Sequence, residues 1–387
     1  MEIKQIAELL NSVLKETMGL ENPAQEDLSN VVDLGVSFMN ANFVDNNLRV
    51  LIDHVGTMIF NDRTYKGKFK NVLRIGTEYA SIIEKVSADL PDVVENESAE
   101  LVDGTSYDTN IYYAPKGVEM KLFDKKTTFE VPISITDIYL RSAFDSPAQL
   151  SRFIAMIETK VQNKLELSYE QLIDRTINNI IAETVYADYG ASALSSKSGV
   201  KAVNLLYLYN NTFNPATPLT VANCLYDADF LRFAYDRIYI TMGLMEKYSR
   251  LFNVNGKERF TTKDLQHVVL HNELTSKLKT VLKSNTFHDD FIALPNYEEV
   301  PYWQGTGTDL ALTKKTEINV KTASGHDVDA TGVLGVIFDH DAVAVNDSYR
   351  RTTTDINGKA EFRTFYHKSD AHYLNDLNEN CVVFLIA

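Results

Sequence analysis

Three groups of residues in this sequence carry side chains suited to chemistry. His267 and His271 stand four apart in HVVLH. His367, Asp370, His372 and Asp376 crowd the tail, FYHKSDAHYLNDLNENCVVFLIA. His288-Asp289, His326-Asp327 and His340-Asp341 are adjacent pairs. Imidazoles and carboxylates are the donors of zinc sites and the acids and bases of catalysis, so each spacing has a geometric requirement to meet. HVVLH lacks the Glu of the zinc-protease helix motif, and its apolar centre reads as strand. Adjacent residues on a strand point to opposite faces, so the His-Asp pairs are poor chelates. His367 and His372, five apart, face opposite sides of a strand and are badly placed on a helix as well. Ordinary polar positions at a strand and turn account for all of them better.

Phosphate and nucleophile motifs fare no better. Gly305-Thr306-Gly307 lacks the third Gly that opens a helix, and Gly256-Lys257 lacks the spacing of a phosphate loop. There is no Gly-x-Ser-x-Gly elbow. The 20 Tyr and 19 Phe are scattered rather than interleaved with basic clusters, which argues against a stacking platform for single strands. Asn210-Asn211-Thr212 is a glycosylation sequon by letter only. The residues lead to no catalytic, cofactor-binding or metal-ligating assignment, and the reading is of a protein that is not an enzyme.

The elements around these residues are more informative. Ile3, Ile6, Leu9, Leu10, Val13 and Leu14 predict a helix that Gly19 ends, and Asn22-Pro23-Ala24-Gln25 reads as the start of another. From Asp89 to Asp108 the chain holds seven acids and no Lys or Arg, the pattern of a solvated loop. KTTFEVPISIT then alternates, with Phe129, Val131, Ile133 and Ile135 on one side, and Pro132 places this strand at a sheet edge or bulge. Ser146-Pro147-Ala148-Gln149 is a capping box with Pro at the first helical position. Behind it an apolar stripe from Leu150 to Ile180 runs on to Val185 without Gly or Pro. Lys164 and Asn178 break any simple heptad, so a long structural spine fits better than a coiled coil. LQHVVLH reads as strand, NELTSKLKTVLKS as amphipathic helix, and GVLGVIFDHDAVAV, FRTFYHK and CVVFLIA as closing strands. The last of these carries no charge and is expected to be buried on both faces.

Composition bounds the function. The chain has 387 residues, 44% of them hydrophobic, and a net charge of −15. That balance opposes strong phosphate-driven binding to nucleic acid, which normally needs a basic face. Cys224 and Cys381 sit among apolar residues and read as core side chains of a reducing compartment. The N-terminus lacks the basic start and apolar run of a signal peptide, and no stretch approaches the ~20 apolar residues of a membrane span. A soluble protein is expected.

Three segments carry a family resemblance. They are VLIDHVGTMIFNDRTYKGKFKNVLRIGTEYASII, FDSPAQLSRFIAMIETKVQNKLELSYEQLIDRTINNIIAETV and GVIFDHDAVAVNDSYRRTTTDINGKAEFRTFYHKSDAHYLNDLNENCVVFLIA, together a third of the chain. Their order resembles the major capsid proteins of tailed bacteriophages with the Hong Kong 97-type fold, closest in texture to phi29-like podophage coat proteins. The resemblance implies an α+β fold with an N-terminal arm (1–65), an extended E-loop (66–140), a peripheral domain with the spine helix (141–199), an α/β axial domain (200–330) and return strands of the peripheral domain (331–387).

It also implies a structural role in an icosahedral shell of hexamers and pentamers that encloses double-stranded DNA without reading it. The setting would be the virion, after assembly in the host cytoplasm. No added immunoglobulin-like domain is expected, and the arm is too short for a fused scaffolding segment. A separate scaffolding protein, a portal and neck proteins are the expected partners, with no cofactor and no membrane. Contact with an adjacent subunit is expected through Lys125, Lys126, Phe129, Glu130, Val131 and Ile133, with the acid run 89–108 a candidate partner for the lysines. Other readings are an encapsulin-like nanocompartment shell, a phage tail or neck protein, and a metal-dependent enzyme resting on His267/His271 or the tail.

Overall fold

The computed structural model describes residues 3–20, 23–39, 47, 50–51, 72–75, 83–88, 103–104, 118–285, 297–304, 311–322 and 324–387. The chain divides into two compact units. The first takes residues 1–80, 126–173 and 345–372, and the second 81–125, 174–344 and 373–387.

In the first unit, helix α1 (Ile3–Met18) buries Ile6, Leu9, Leu10, Val13 and Leu14, the stripe read from the sequence. Gly19 ends it at φ +69°, donating its N–H to the Lys15 carbonyl at 3.1 Å. The helix expected from Pro23 does not form. Asn11 clasps Ala24 through both its N–H and its carbonyl, and Asn30 bonds the Gln25 N–H and the Pro23 carbonyl. These side chains offer the backbone a local alternative to helix, and α2 starts later, at Val31–Phe38.

Strand β1 is Leu73–Ile75, β2 Ile83–Ala88, β3 Val118–Phe123 and β4 Lys126–Thr136. The short helix α3 (Asp137–Ala143) follows β4, capped by the Thr136 hydroxyl. Two long strands, β11 (Val343–Asn357) and β12 (Phe362–Asn375), complete a four-stranded sheet in the order β1-β11-β12-β4. β4 pairs antiparallel with β12 from Thr136↔Phe362 to Lys126↔His372. It is an edge strand, which Pro132 tolerates, and it buries Val131, Ile133 and Ile135 while alternate residues stay exposed.

The spine helix α4 runs unbroken over Pro147–Tyr189, 43 residues and about 65 Å at 1.5 Å per residue. The Ser146 hydroxyl accepts the Gln149 N–H at 3.3 Å, closing the predicted cap. Up to Tyr169 one stripe is buried: Leu150, Phe153, Ile154, Ile157, Val161, Leu165 and Tyr169. From Thr176 to Val185 nearly every side chain is buried, so this half reads apolar on all sides. Polar side chains there reach specific partners. Asn178 donates to the Trp303 carbonyl at 2.8 Å, and Glu183 accepts from Ser324 N–H and Oγ at 3.0 and 2.7 Å.

The second unit is built on a five-stranded sheet ordered β5-β13-β10-β6-β7. Its strands are β5 (Ala202–Asn204), β6 (Gln266–His271), β7 (Tyr297–Val300), β10 (Val333–Asp339) and β13 (Cys381–Leu385). β8 (Ile318–Lys321) and β9 (Asp327–Ala330) form a separate antiparallel pair. Helices α5 (Leu205–Phe213), α6 (Ala228–Met245) and α7 (Asn272–Asn285) supply the rest of its core. Asn204 and Asp227 cap α5 and α6 by accepting the N–H groups of Tyr207 and Phe230. The charge-free terminal strand β13 is fully buried, as its composition requires. Its place is between β5 and β10 in this sheet, not in the sheet that holds β4. β2 and β3 pair with each other as an antiparallel hairpin belonging to this unit.

Candidate functional site

The residues suited to chemistry are engaged separately. His271, on β6, is 1% exposed, and its Nδ1 accepts the Glu273 N–H at 3.3 Å, serving the start of α7. His267 turns to another partner, its Nε2 lying 3.1 Å from Nδ1 of His340. His367 is buried and meets the Thr352 hydroxyl, while His326 stacks on Tyr186. Asp370 accepts from Lys126, Arg351 and Thr128 at 2.7, 2.8 and 2.7 Å. Burial raises its pKa, but those three hydrogen bonds outweigh burial and hold the carboxyl at about 2. Asp376 instead pairs with Lys85 and Lys121, at 2.9 and 3.1 Å. His367, Asp370 and Asp376 of the tail therefore serve different contacts, and His372 is buried. Among the described residues, no group of three or more His, Cys, Asp or Glu is placed to hold a metal ion. His288-Asp289 and Gly305-Thr306-Gly307 lie outside the described residues, as does all of the acid run except Asp103 and Gly104. Cys224 and Cys381 are free and buried, and burial pushes both thiols up to about 12, where they are unreactive.

The two buried imidazoles make the fold acid-sensitive. Burial, with the Lys315 charge added at His271, moves both His271 and His367 from the ordinary 6.5 down to about 4. Between those values the unfolded chain binds more protons than the folded one, so stability falls as pH drops through that window. The loss is on the order of 3 kcal/mol for each imidazole by its lower limit. Glu298, pushed up to about 7 by burial, works in the opposite direction between 4.5 and 7 and offsets part of it. The melting temperature should fall clearly from pH 7.5 to pH 5, and His271→Asn/His367→Asn should flatten that slope. An equally steep slope in the double variant would show that other groups set it.

The residues expected to meet a neighbour are placed as follows. Lys125 is exposed, Lys126 is tied to Asp370, and Glu130 pairs with Lys368 at 3.2 Å. Phe129 is half-buried with its ring edge-on to Tyr169, at 5.4 Å between centroids. Val131 and Ile133 lie in the core of their own chain.

A surface that the sequence reading missed lies on the β2–β3 hairpin. Lys85 pairs across to Lys121, and Ser87 to Glu119. This face is ionic and engaged: Lys85 with Asp376 and Glu379, Lys121 with Asp376, and Glu119 with Lys257 at 3.1 Å. The opposite face shows Val86, Met120 and Leu122, which are 61%, 58% and 55% exposed. The signal was present in VEMKLF, whose apolar and charged residues alternate with the strand period. No described helix is long and apolar enough to cross a membrane.

A spine helix, a sheet of long strands, a second unit on a buried five-stranded sheet and a two-faced hairpin are the parts of a Hong Kong 97-type capsid fold. One solved phage structure shares its fold, and others align at lower scores. A chain in the structure of the head fiber and inner core protein of native bacteriophage P68 aligns at TM-score 0.51 and 11% identity, over 84% of this chain and 86% of that one. The capsid of Staphylococcus phage Andhra aligns at 0.48 and 10%, over 84% and 86%. A chain in the structure of Mycobacterium phage Cain aligns at 0.42 and 11%, over 87% and 97%. No curated protein matches the chain. The chain belongs to the Phi29-like phage major capsid protein family, whose model matches residues 6–385. It is a coat protein of the virion that self-assembles into the capsid of a bacteriophage.

Proposed function

We propose that this coat protein forms hexamers and pentamers in the host cytoplasm around a separate scaffolding protein, joins portal and neck proteins, and works without catalysis. The observation that supports it most is the hairpin. Its ionic face is spent on its own chain, while its other face offers three exposed apolar side chains that a monomer gains nothing by presenting. In this reading that face, together with the edge of β4 that no described strand pairs with, meets an adjacent subunit. Along β4 the contact comes from the strand's outer backbone groups and from Lys125, Lys126 and Glu130. Phe129, Val131 and Ile133 hold the strand to its own core from behind. An edge strand is a liability in a lone molecule and a resource in an assembly. A net charge of −15 suits a wall that encloses DNA without gripping its phosphates.

Co-expression with the phage's scaffolding protein, followed by electron microscopy, tests this reading. The wild-type chain should give closed shells. Val86→Asp/Met120→Asp, altering only exposed side chains, should keep the melting temperature and lower shell yield by about tenfold or more, the effect of an unpaired charge in an apolar contact. Normal shell yield from that variant would rule out the hairpin contact. Closed shells from the wild-type chain without scaffolding would rule out the scaffold requirement.

A further inference from the structure

Helix α6 has an outer face that stands exposed among the described residues. Leu231, Ala234, Ile238, Met242 and Met245 point into the core of the second unit. On the other side Tyr239, Ile240 and Leu244 are 49%, 41% and 52% exposed. The stripe continues past the helix into Tyr248, whose ring packs 4.7 Å from that of Phe260, both exposed. In the middle of the stripe stands Gly243, four residues after Tyr239, three after Ile240 and next to Leu244, neighbours on a helix surface. A Cβ built there meets no described atom within 4 Å, and the residue does not use the positive φ that favours glycine elsewhere in the chain. Neither the backbone nor the packing of the described residues calls for a glycine, and within a helix glycine is less favourable than alanine.

We infer that the Tyr239–Ile240–Gly243–Leu244 face of α6 is an interface with a second copy of this chain, whose backbone passes close over Gly243. Glycine at a half-buried helical position with open space above it allows such an approach, and the apolar side chains around it supply the burial. Charge decides the kind of partner. The stripe is bordered by Asp236 and Glu246 as well as Lys247 and Lys263, with Lys263 lying over the Tyr239 ring and 3.9 Å from Glu246. Asp236 lies in the helix and Lys247 just past its end, eleven residues apart at opposite ends of the face. A border of both signs is complementary to another copy of itself, whereas a nucleic acid asks for a basic one. The inference rests on the coat-protein reading and adds a contact distinct from the hairpin.

Gly243→Ala and Gly243→Gln test it, because the two states of the protein respond with opposite signs. Both variants favour helix and meet nothing in the described chain, so the unassembled protein should melt about 2 °C higher. If a neighbour passes over Gly243, the added side chain must be accommodated in a packed contact. The protein concentration needed for shell formation should then rise by roughly tenfold, with glutamine worse than alanine. Equal or easier assembly overturns the inference while leaving shell formation itself intact. A lower melting temperature in the unassembled protein also overturns it, since the face would then be covered from within the same chain. Failure of the wild-type chain to form shells is a different result, and counts against the coat-protein reading and this contact together.

Discussion

A chain lacking Val382–Ala387 should accumulate as insoluble protein, not as a soluble coat subunit that fails to assemble. Strand β13 is interior, with Val383 to Leu385 running parallel to β5 and Cys381 to Leu385 antiparallel to β10. Val382, Val383, Phe384, Leu385 and Ile386 are each no more than 1% exposed. At about 1.5–3 kcal/mol per buried side chain of this size, removing five forfeits roughly 10 kcal/mol. The whole stability of a domain is about 5–15 kcal/mol. The deletion also bares the facing edges of β5 and β10, which are templates for aggregation. A single-residue variant probes the same place. Gly332 sits at φ +78°, and a Cβ there would meet the Ile386 carbonyl oxygen at 1.8 Å, so Gly332→Ala should fail in the same direction with less severity. The soluble fraction after expression is the measurement, and a soluble, cooperatively melting deletion product would show that the sheet closes without β13.

Asp376→Ala should destabilise the second unit by about 3 kcal/mol and loosen the hairpin, because breaking a buried ion pair leaves its partner charges stranded. The Asp376 side chain is 1% exposed, between Lys85 and Lys121 of the hairpin, and it also accepts the Asn378 N–H at 3.1 Å. Burial alone would raise its pKa, yet the Lys85 hydrogen bond and charge, the Asn378 N–H and the Lys121 charge bring it below the ordinary carboxylate value. Lys85 shows the mirror image: burial lowers it, and Glu379 and Asp376 raise it further than burial lowers it. Adding Lys85→Met to Asp376→Ala should recover part of the loss, because one stranded charge is gone. Melting temperature and the rate of proteolysis within residues 83–123 report the two effects. Unchanged values for Asp376→Ala would mean that Glu379, which also accepts from Lys85 and Arg259, suffices to hold the hairpin.

Local signals in this sequence were strong where one side chain decides the backbone. Ser146 and Pro147 set the start of the spine helix, Gly19 ended α1, the alternation through Phe129–Ile135 marked β4 as a half-buried strand, and Pro132 pointed to its edge position. Asn22-Pro23 misled because the competitors for that backbone, Asn11 and Asn30, lie elsewhere in the chain. The tail was legible as a buried strand but not as a member of a particular sheet. β13 and the strands beside it are separated by long stretches of chain, and uniformly apolar residues fit any interior slot. The contact surface was legible only in part. The alternation of β4 marks a half-buried strand but does not say which face belongs to its own core. In the hairpin the deciding fact is the long-range pairing of Lys85 and Lys121 with Asp376, which no local pattern records.

The position of β13 has a consequence for how copies of this protein are made. The strand leaves the ribosome after β5, β6, β7 and β10, yet its slot lies between two of them. The sheet has to wait, half-formed, until residue 385 has been synthesised, since pairing of distant segments cannot precede the arrival of the later one. A copy abandoned by the ribosome before that point has no way to close its core. Completion of this sheet thus waits on the arrival of β13 in every subunit, before that subunit can be admitted to a shell.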